Sequence, residues 1–237
     1  MSLPARLLVI TDRKAATRPL EEVVAGSLRG GCRWLSVREK DLPHAERVAL
    51  LGRLVALGRP FDATVTVHGD IEAAAAAGAG VHLPADASPA EARARLGPHA
   101  LIGLSVHGAL EAASADPAAD YVTLSPTFGS ISKPGYGPAL GVQGLADAAR
   151  RARVPIVALG GIAADTLAPC FAAGAAAVAA MGAVMAAADP EAATAALLQA
   201  LDETGSRHCC FLTAGGQAYT DRRGIGTSLP HRSRGRE

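Results

Sequence analysis

The chain has 237 residues, 49% of them hydrophobic, and a formal net charge of +1. This length and hydrophobic content predict one large α/β domain, and the near-neutral charge gives no reason to expect nucleic acid or a membrane surface as a partner. Four cysteines are too few for a disulfide framework, and no apolar stretch has the length of a signal peptide or membrane span, which predicts a soluble cytoplasmic protein.

Short apolar runs alternate with helical patterns along the chain. Apolar runs that end in polar residues predict strands, and apolar positions at helical spacing predict the helices between them. The predicted strands are 7–12, 34–40, 63–68, 81–83, 101–107, 120–126, 155–161 and 176–181. The predicted helices are 20–28, 44–57, 71–77, one that begins after the N-cap Ser88, 109–115, 142–151, 165–173 and 190–201. A Gly/Pro-rich loop over 127–141 follows the sixth strand.

Eight strands that alternate with eight helices favour a single parallel (β/α)8 TIM barrel over residues 1–204. A doubly wound open sheet is the alternative. We favour the barrel because eight units complete the pattern and no dinucleotide-binding glycine fingerprint follows the first strand.

The last segment, 205–237, differs in composition from the barrel. It holds six Arg and two acidic residues, a net charge of +4, so the other 204 residues carry −3. Low hydrophobic density and positive charge predict a disordered tail. Cys209-Cys210 beside His208 lacks the spaced ligand pairs of a zinc site, so we expect no metal there.

Polar residues gather at the predicted carboxyl ends of the strands, where barrel enzymes build their active sites. They are Asp12, Arg38, Glu39, Lys40, His68, His82, Ser105, His107, Ser125 and Lys133. Several cations among histidines predict an anionic ligand. About half of these residues are expected to serve the structure only.

Glycine-rich loops follow the seventh and eighth predicted strands. Gly160 and Gly161 end the seventh, and Met181 and Gly182 end the eighth. In barrels these loops commonly bind phosphate, because small residues let backbone N–H groups approach the oxygens. In the long loop 127–141, the hydroxyls of Ser130 and Ser132 and the ammonium of Lys133 are further candidates to hold an anion.

Five motifs in order resemble the thiamine phosphate synthase/TenI family. They are Val37-Arg38-Glu39-Lys40, Gly80-Val81-His82-Leu83, Ile102 to His107, Asp120-Tyr121 leading to Pro126-Thr127-Phe128 with Ser132-Lys133, and Ile156 to Ile162. The resemblance covers residues 7–201. It implies a barrel that acts on thiazole phosphate in thiamine biosynthesis.

Two activities occur in this family. The synthase joins a pyrimidine diphosphate to thiazole phosphate with Mg²⁺, and its pattern has a Gln two residues before the motif arginine, an Asn-Asp pair ending strand three and an Asp after strand four. This sequence has Ser36, Val67-His68 and Ala87 at those points, with Asp86 one residue away. Since Mg²⁺ prefers carboxylate oxygens, the resemblance implies that diphosphate chemistry is weakened here.

The TenI-like thiazole tautomerases resemble this chain in Ser105-Val106-His107 and in Leu83-Pro84. This branch implies an isomerase that aromatises thiazole carboxylate phosphate by proton transfer through His107, without a metal. The loops at Gly161 and Gly182 would hold the phosphate, and the cations at 38, 40 and 133 would offset its charge. Mg²⁺ is expected only if the synthase alternative holds.

Two other functions remain open at this point. One is the synthase itself with an unusual metal site, since a shared fold leaves chemistry to individual residues. The other is a non-catalytic sensor of thiazole or thiamine phosphate. In each case the partner is a small molecule, and a homo-oligomer is compatible with the sequence.

Overall fold

The structure, a computed structural model, describes residues 2–129 and 138–212, with side chains as far as 204. Its strands are β1 Leu7–Ile10, β2 Trp34–Val37, β3 Thr64–His68, β4 Gly80–Leu83, β5 Ile102–Val106, β6 Tyr121–Leu124, β7 Ile156–Leu159 and β8 Ala177–Ala180. Its α-helices are α1 Leu20–Arg29, α2 His44–Gly58, α3 Ile71–Ala77, α4 Pro89–Leu96, α5 Ala109–Ser114, α6 Gly141–Arg151, α7 Ala164–Ala172, α8 Gly182–Met185 and α9 Pro190–Leu212.

The strands form a closed parallel barrel. Each strand pairs with the next in the sequence, and β1 pairs with β8, where Leu8 lies opposite Ala179. This closure excludes the open sheet and confirms the predicted (β/α)8 fold. The predicted strands run up to three residues too far, because the polar residues that follow each apolar run have already left the sheet.

Alternation along the strands divides the apolar residues into two clusters. The larger cluster lies between the outer face of the barrel and the helices, and contains residues such as Val9, Val37 and Leu124. The smaller one fills the inside of the barrel and is called here the inner apolar cluster. Its members are Leu8, Ile10, Trp34, Leu101, Tyr121, Val157, Ala177 and Ala179.

Local capping explains where two of the helices begin. The Asp70 carboxylate accepts a hydrogen bond of 2.9 Å from the Ala73 N–H at the start of α3. The Ser88 hydroxyl accepts one of 3.3 Å from the Glu91 N–H, with Pro89 as the first helical residue, which confirms the predicted N-cap of α4.

The structure adds elements that the sequence pattern did not predict. They are a 3₁₀ turn at Arg59–Phe61 and the short helix α8. The helix α9 was predicted to end at 201 but continues to Leu212, because one glycine costs a helix only about 1 kcal/mol. The backbone is therefore helical for eight residues past 204, where a disordered tail was predicted to begin. The rest of that prediction, 213–237, lies outside the described residues.

Within the described ranges, none of the helices combines the length and the hydropathy that a membrane span requires.

Candidate active site

A cavity of about 230 Å³ opens where β2, β3, β4 and β5 end. Its wall is formed by Lys40, Arg47, His68, Gly69, His82, Pro84 and Ser105. Two residues predicted to bind substrate, Lys40 and Ser105, therefore share one wall. His68 and His82 belong to the predicted polar set at the strand ends, and Arg47 was not predicted.

A buried polar cluster lies at the floor of this cavity. His82 is 2% exposed, and its Nδ1 lies 3.1 Å from the Tyr121 hydroxyl. Its Nε2 lies 3.1 Å from both the Ser105 and the Thr123 hydroxyl oxygens. Tyr121 also hydrogen-bonds Thr66, whose hydroxyl donates to Ser36 at 2.9 Å. This polar cluster is defined here as Ser36, Thr66, His82, Ser105 and Thr123.

The His82 ring is neutral. Burial, and to a smaller extent the nearby Lys40 charge, lower its pKa to about 3. Burial also raises the pKa of Tyr121, so its phenol keeps its proton. The floor of the cavity is therefore a set of uncharged donors and acceptors.

A glycine in β5 makes room for these two rings. A Cβ at Gly103 would collide with the Tyr121 ring and with His82 Nδ1. His68 completes this wall, since its ring centroid lies 4.7 Å from that of His82. Any side chain at position 103 would therefore displace the polar cluster.

Two cations stand at the mouth without carboxylate partners. Within the described residues, neither Arg38 nor Lys40 forms an ion pair, whereas Arg13 and Lys14 on the neighbouring loop both pair with Asp41. Burial lowers the pKa of Lys40, and the charge of Arg38 lowers it further. Two like charges without carboxylate partners in this loop favour an anionic ligand.

Glu39 fixes the loop that carries these cations. It is 2% exposed and accepts hydrogen bonds from the Thr11 hydroxyl at 2.7 Å and the Arg13 N–H at 3.2 Å. The same Thr11 oxygen accepts the Arg38 N–H at 2.9 Å. Because Glu39 is buried and held by these contacts, it fixes the backbone between Arg38 and Lys40.

Arg47, on the first turn of α2, joins two loops across the cavity. Its guanidinium donates to Asp70 at 2.6 Å, and to the carbonyl oxygens of Leu42 at 2.7 Å and Lys40 at 3.4 Å. The sequence contained one signal for it. A cation near a helix N-terminus opposes the helix dipole, so a specific acidic partner is required there.

The glycine loops lie at the same end of the barrel. Gly160 and Gly161 have φ values of 104° and 63°, and a Cβ at Gly161 would lie 2.7 Å from the Phe128 Cβ. Met181 caps α8, and Gly182 is its first residue. The predicted phosphate-binding role of these loops stays a prediction.

His107 follows β5 and is exposed, rather than being part of the cavity wall. Its Nδ1 lies 3.0 Å from the Ser125 carbonyl oxygen, and its backbone N–H donates to Glu111 at 2.8 Å. Its predicted catalytic role stays a prediction. The predicted binding residues Ser130, Ser132 and Lys133 lie outside the described residues.

Two carboxylates near the mouth are already engaged by the protein's own donors. Burial raises the pKa of Asp70, but hydrogen bonds from the Ala73 N–H, His44 and Arg47 outweigh burial and leave it below its usual value. Asp41 pairs with two cations of the neighbouring loop, Arg13 and Lys14. In the part of the chain that the structure describes, no group of three or more His, Cys, Asp or Glu side chains is arranged to hold a metal ion.

Known proteins resemble this chain over most of its length. A family model described as thiamine monophosphate synthase matches residues 7–184. The thiamine-phosphate synthase of Roseiflexus sp. (strain RS-1) is 41% identical over 203 residues, which cover 82% of this chain and 86% of that protein. That of Anaeromyxobacter dehalogenans (strain 2CP-C) is 43% identical over 211 residues, or 83% and 93% of the two chains. The solved structure of thiamine phosphate pyrophosphorylase from Pyrococcus furiosus matches with a TM-score of 0.75 and 31% identity, over 84% and 96%.

These relatives overturn one prediction. The TenI-like thiazole tautomerase, an isomerase, is wrong, because relatives about 40% identical over most of the chain are named thiamine-phosphate synthase. The prediction depended on a few positions, chiefly the missing carboxylates and the Ser-Val-His triplet. The missing carboxylates do not exclude a diphosphate, since Arg38 and Lys40 are a second source of positive charge at the mouth.

Proposed function

The chain belongs to the thiamine monophosphate synthase family, and on that premise we propose that it is a thiamine-phosphate synthase. Its substrates would be a pyrimidine diphosphate and thiazole phosphate, and its products thiamine phosphate and pyrophosphate. The observation that carries the proposal is 41% to 43% identity, over more than four fifths of both chains, to proteins named for this activity.

The reaction transfers a carbon from oxygen to nitrogen. The thiazole nitrogen forms a bond to the methylene carbon of the pyrimidine, and the bond between that carbon and the diphosphate oxygen breaks. The ring nitrogen becomes positive, and pyrophosphate leaves with one more negative charge than the diphosphate ester carried. The protein must therefore stabilise negative charge that grows on the leaving group.

The cavity residues suit this demand. Arg38 and Lys40 would face the diphosphate, because they are the mouth cations that have no carboxylate partner within the described residues. Ser105, held by His82, would present its hydroxyl to the bound substrate. The loops at Gly161 and Gly182 would hold the thiazole phosphate at the opposite side of the mouth.

Two earlier assignments change with this proposal. His107 was predicted to move a proton at a thiazole ring carbon, and the synthase reaction has no such step, so we assign it none. The synthase pattern also implies Mg²⁺, but the residues that the structure describes do not fit a carboxylate-rich magnesium site. No step is therefore routed through a metal.

The test is to incubate the purified protein with the pyrimidine diphosphate and thiazole phosphate, with Mg²⁺ and separately with EDTA. We expect thiamine phosphate and pyrophosphate in equal amounts, detected by chromatography and a phosphate assay after pyrophosphatase. If neither product forms under either condition, the proposal is wrong. Substrate binding without product would then identify a sensor.

A further inference from the structure

We propose that this pocket balances the charge of a diphosphate with its own cations, chiefly Arg38 and Lys40, rather than with a divalent ion held on carboxylates. The inference rests on the proposed function, which brings a diphosphate to the pocket. It departs from the synthase pattern, in which carboxylates after strands three and four accompany Mg²⁺.

The first support is that the carboxylates nearest the cavity are bound to the protein's own donors. Glu39 accepts from Thr11 and Arg13, and Asp70 accepts from Arg47, His44 and the Ala73 N–H. To bind a cation, Asp70 would have to give up its contact with Arg47 and its cap of α3. Such a carboxylate is a poor ligand for Mg²⁺, which requires several oxygens in octahedral geometry.

The sequence of the neighbouring loops also lacks carboxylates that could bind a metal ion. The eight residues 130–137, which the structure does not describe, read Ser-Ile-Ser-Lys-Pro-Gly-Tyr-Gly and contain no Asp or Glu. The glycine loops 159–163 and 181–188 contain none either. Asp86, after β4, is exposed, and its sequence neighbours Pro84, Ala85 and Ala87 bring no second carboxylate.

The second support is the cost of leaving Arg38 and Lys40 together. Burial lowers the pKa of Lys40, and repulsion from the like charge of Arg38 lowers it further. Other cations of this mouth are paired with carboxylates: Arg13 and Lys14 with Asp41, Arg13 also with Glu39 at 3.8 Å, and Arg47 with Asp70. A diphosphate between Arg38 and Lys40 would remove that repulsion and form charge-assisted hydrogen bonds with both.

Arg47 has a different part in this arrangement. It donates to Asp70 and to three carbonyl oxygens of the loop that follows β2, so it is a positioning residue rather than a counter-charge. The Asp70 carboxylate anchors it. In this chain Asp70, the acid that follows β3, therefore orients the loop that carries Arg38 and Lys40. It would do so instead of binding a metal ion.

Binding of inorganic pyrophosphate, measured by titration calorimetry in EDTA and again with Mg²⁺, tests the inference. We expect binding in EDTA, with a Kd that changes by less than about threefold when Mg²⁺ is added. Lys40→Met should weaken this binding by about tenfold or more in both buffers, since a charge-assisted contact is lost. Absence of binding in EDTA, whether or not Mg²⁺ restores it, overturns the inference.

Lys14→Met is the matched control. Lys14 lies at the same mouth, but its ammonium is 2.9 Å from Asp41 and its side chain is 70% exposed. We expect its substitution to leave pyrophosphate binding within about twofold, because a paired surface cation contributes little. Equal losses of pyrophosphate affinity in the two variants would show that binding depends on the overall positive charge rather than on a specific contact with Lys40. That result would contradict the inference.

The inference and the proposed function fail in different ways. If thiamine phosphate forms only with Mg²⁺, and pyrophosphate binds only with Mg²⁺, the function stands and the inference falls. If pyrophosphate binds in EDTA through Lys40 but no thiamine phosphate forms in either buffer, the inference about the pocket stands and the function falls.

Discussion

The inside of the barrel contains two clusters of opposite character. The inner apolar cluster is packed by large rings, with Trp34 and Tyr121 edge to face at 4.8 Å between centroids. The polar cluster beside it contains hydroxyls and one neutral imidazole under the cavity. The Tyr121 ring belongs to the first, and its hydroxyl contacts His82 of the second. The first cluster stabilises the barrel, and the second orients groups for a ligand.

Trp34→Ala tests the inner apolar cluster, and we expect it to have the largest effect on the free energy of unfolding. Trp34 is fully buried, so its truncation should lower the free energy of unfolding by about 3–5 kcal/mol. Urea unfolding followed by circular dichroism measures it. Leu110→Ala, at a side chain that is 78% exposed, is the control and should change stability by no more than about 0.5 kcal/mol. A loss below about 1 kcal/mol at Trp34 would contradict the assignment.

Lowering the pH should destabilise the folded protein through His82, the one imidazole of the polar cluster. Burial lowers the pKa of His82 from 6.5 to about 3, so the unfolded chain binds a proton at a pH where the folded chain does not. Stability is then complete above about pH 6.5 and falls as the pH drops toward 3, by at most about 1.4 kcal/mol per pH unit from this residue. His82→Gln should flatten the stability profile between pH 6.5 and 4.5. If the free energy of unfolding of the variant falls with pH as steeply as that of the wild type, His82 does not cause the pH dependence.

Tyr121→Phe separates the two clusters, because it keeps the ring and removes the hydroxyl. The buried His82 Nδ1 then loses its partner at 3.1 Å, and we expect a loss of about 1–2 kcal/mol in the free energy of unfolding. The variant should also weaken binding of pyrophosphate, because Ser105 is oriented by the same imidazole. If neither the free energy of unfolding nor pyrophosphate binding changes, the contact between the Tyr121 hydroxyl and His82 contributes to neither stability nor binding.

Ser105→Ala should have the smallest effect on stability. Thr123 continues to hydrogen-bond His82 Nε2, so the free energy of unfolding should change by less than about 1 kcal/mol. Product formation should nevertheless fall, because the hydroxyl on the cavity wall is lost. Thermal unfolding and the product assay together measure this contrast, and a variant with wild-type activity would remove Ser105 from the site.

The barrel could be predicted from the sequence because its signal is repeated eight times. Each strand is a short apolar run, and the predicted N-cap Ser88 agrees with the global fold. The helix α8 was missed because four residues carry no periodicity. The extent of α9 was missed because one glycine costs a helix only about 1 kcal/mol, too little to end it.

The site was predictable only in part. Ser105 lies near the carboxyl end of β5 and Lys40 three residues past β2, so the strand pattern alone placed them at the mouth. Arg47 lies on a helix and reaches the cavity through a long side chain, which no strand pattern predicts. His107 shares the strand end with Ser105, yet it lies beyond the cavity wall, because one residue past a strand the backbone direction is set by the following helix.

The measurement that tests the central claim most directly is the kcat/KM for the pyrimidine diphosphate in wild type, Lys40→Met and Lys14→Met, with thiazole phosphate saturating. We predict thiamine phosphate formation by the wild type, a loss of about tenfold or more in Lys40→Met, and a change within about twofold in Lys14→Met. No product from the wild type, or equal losses in the two variants, would contradict the account.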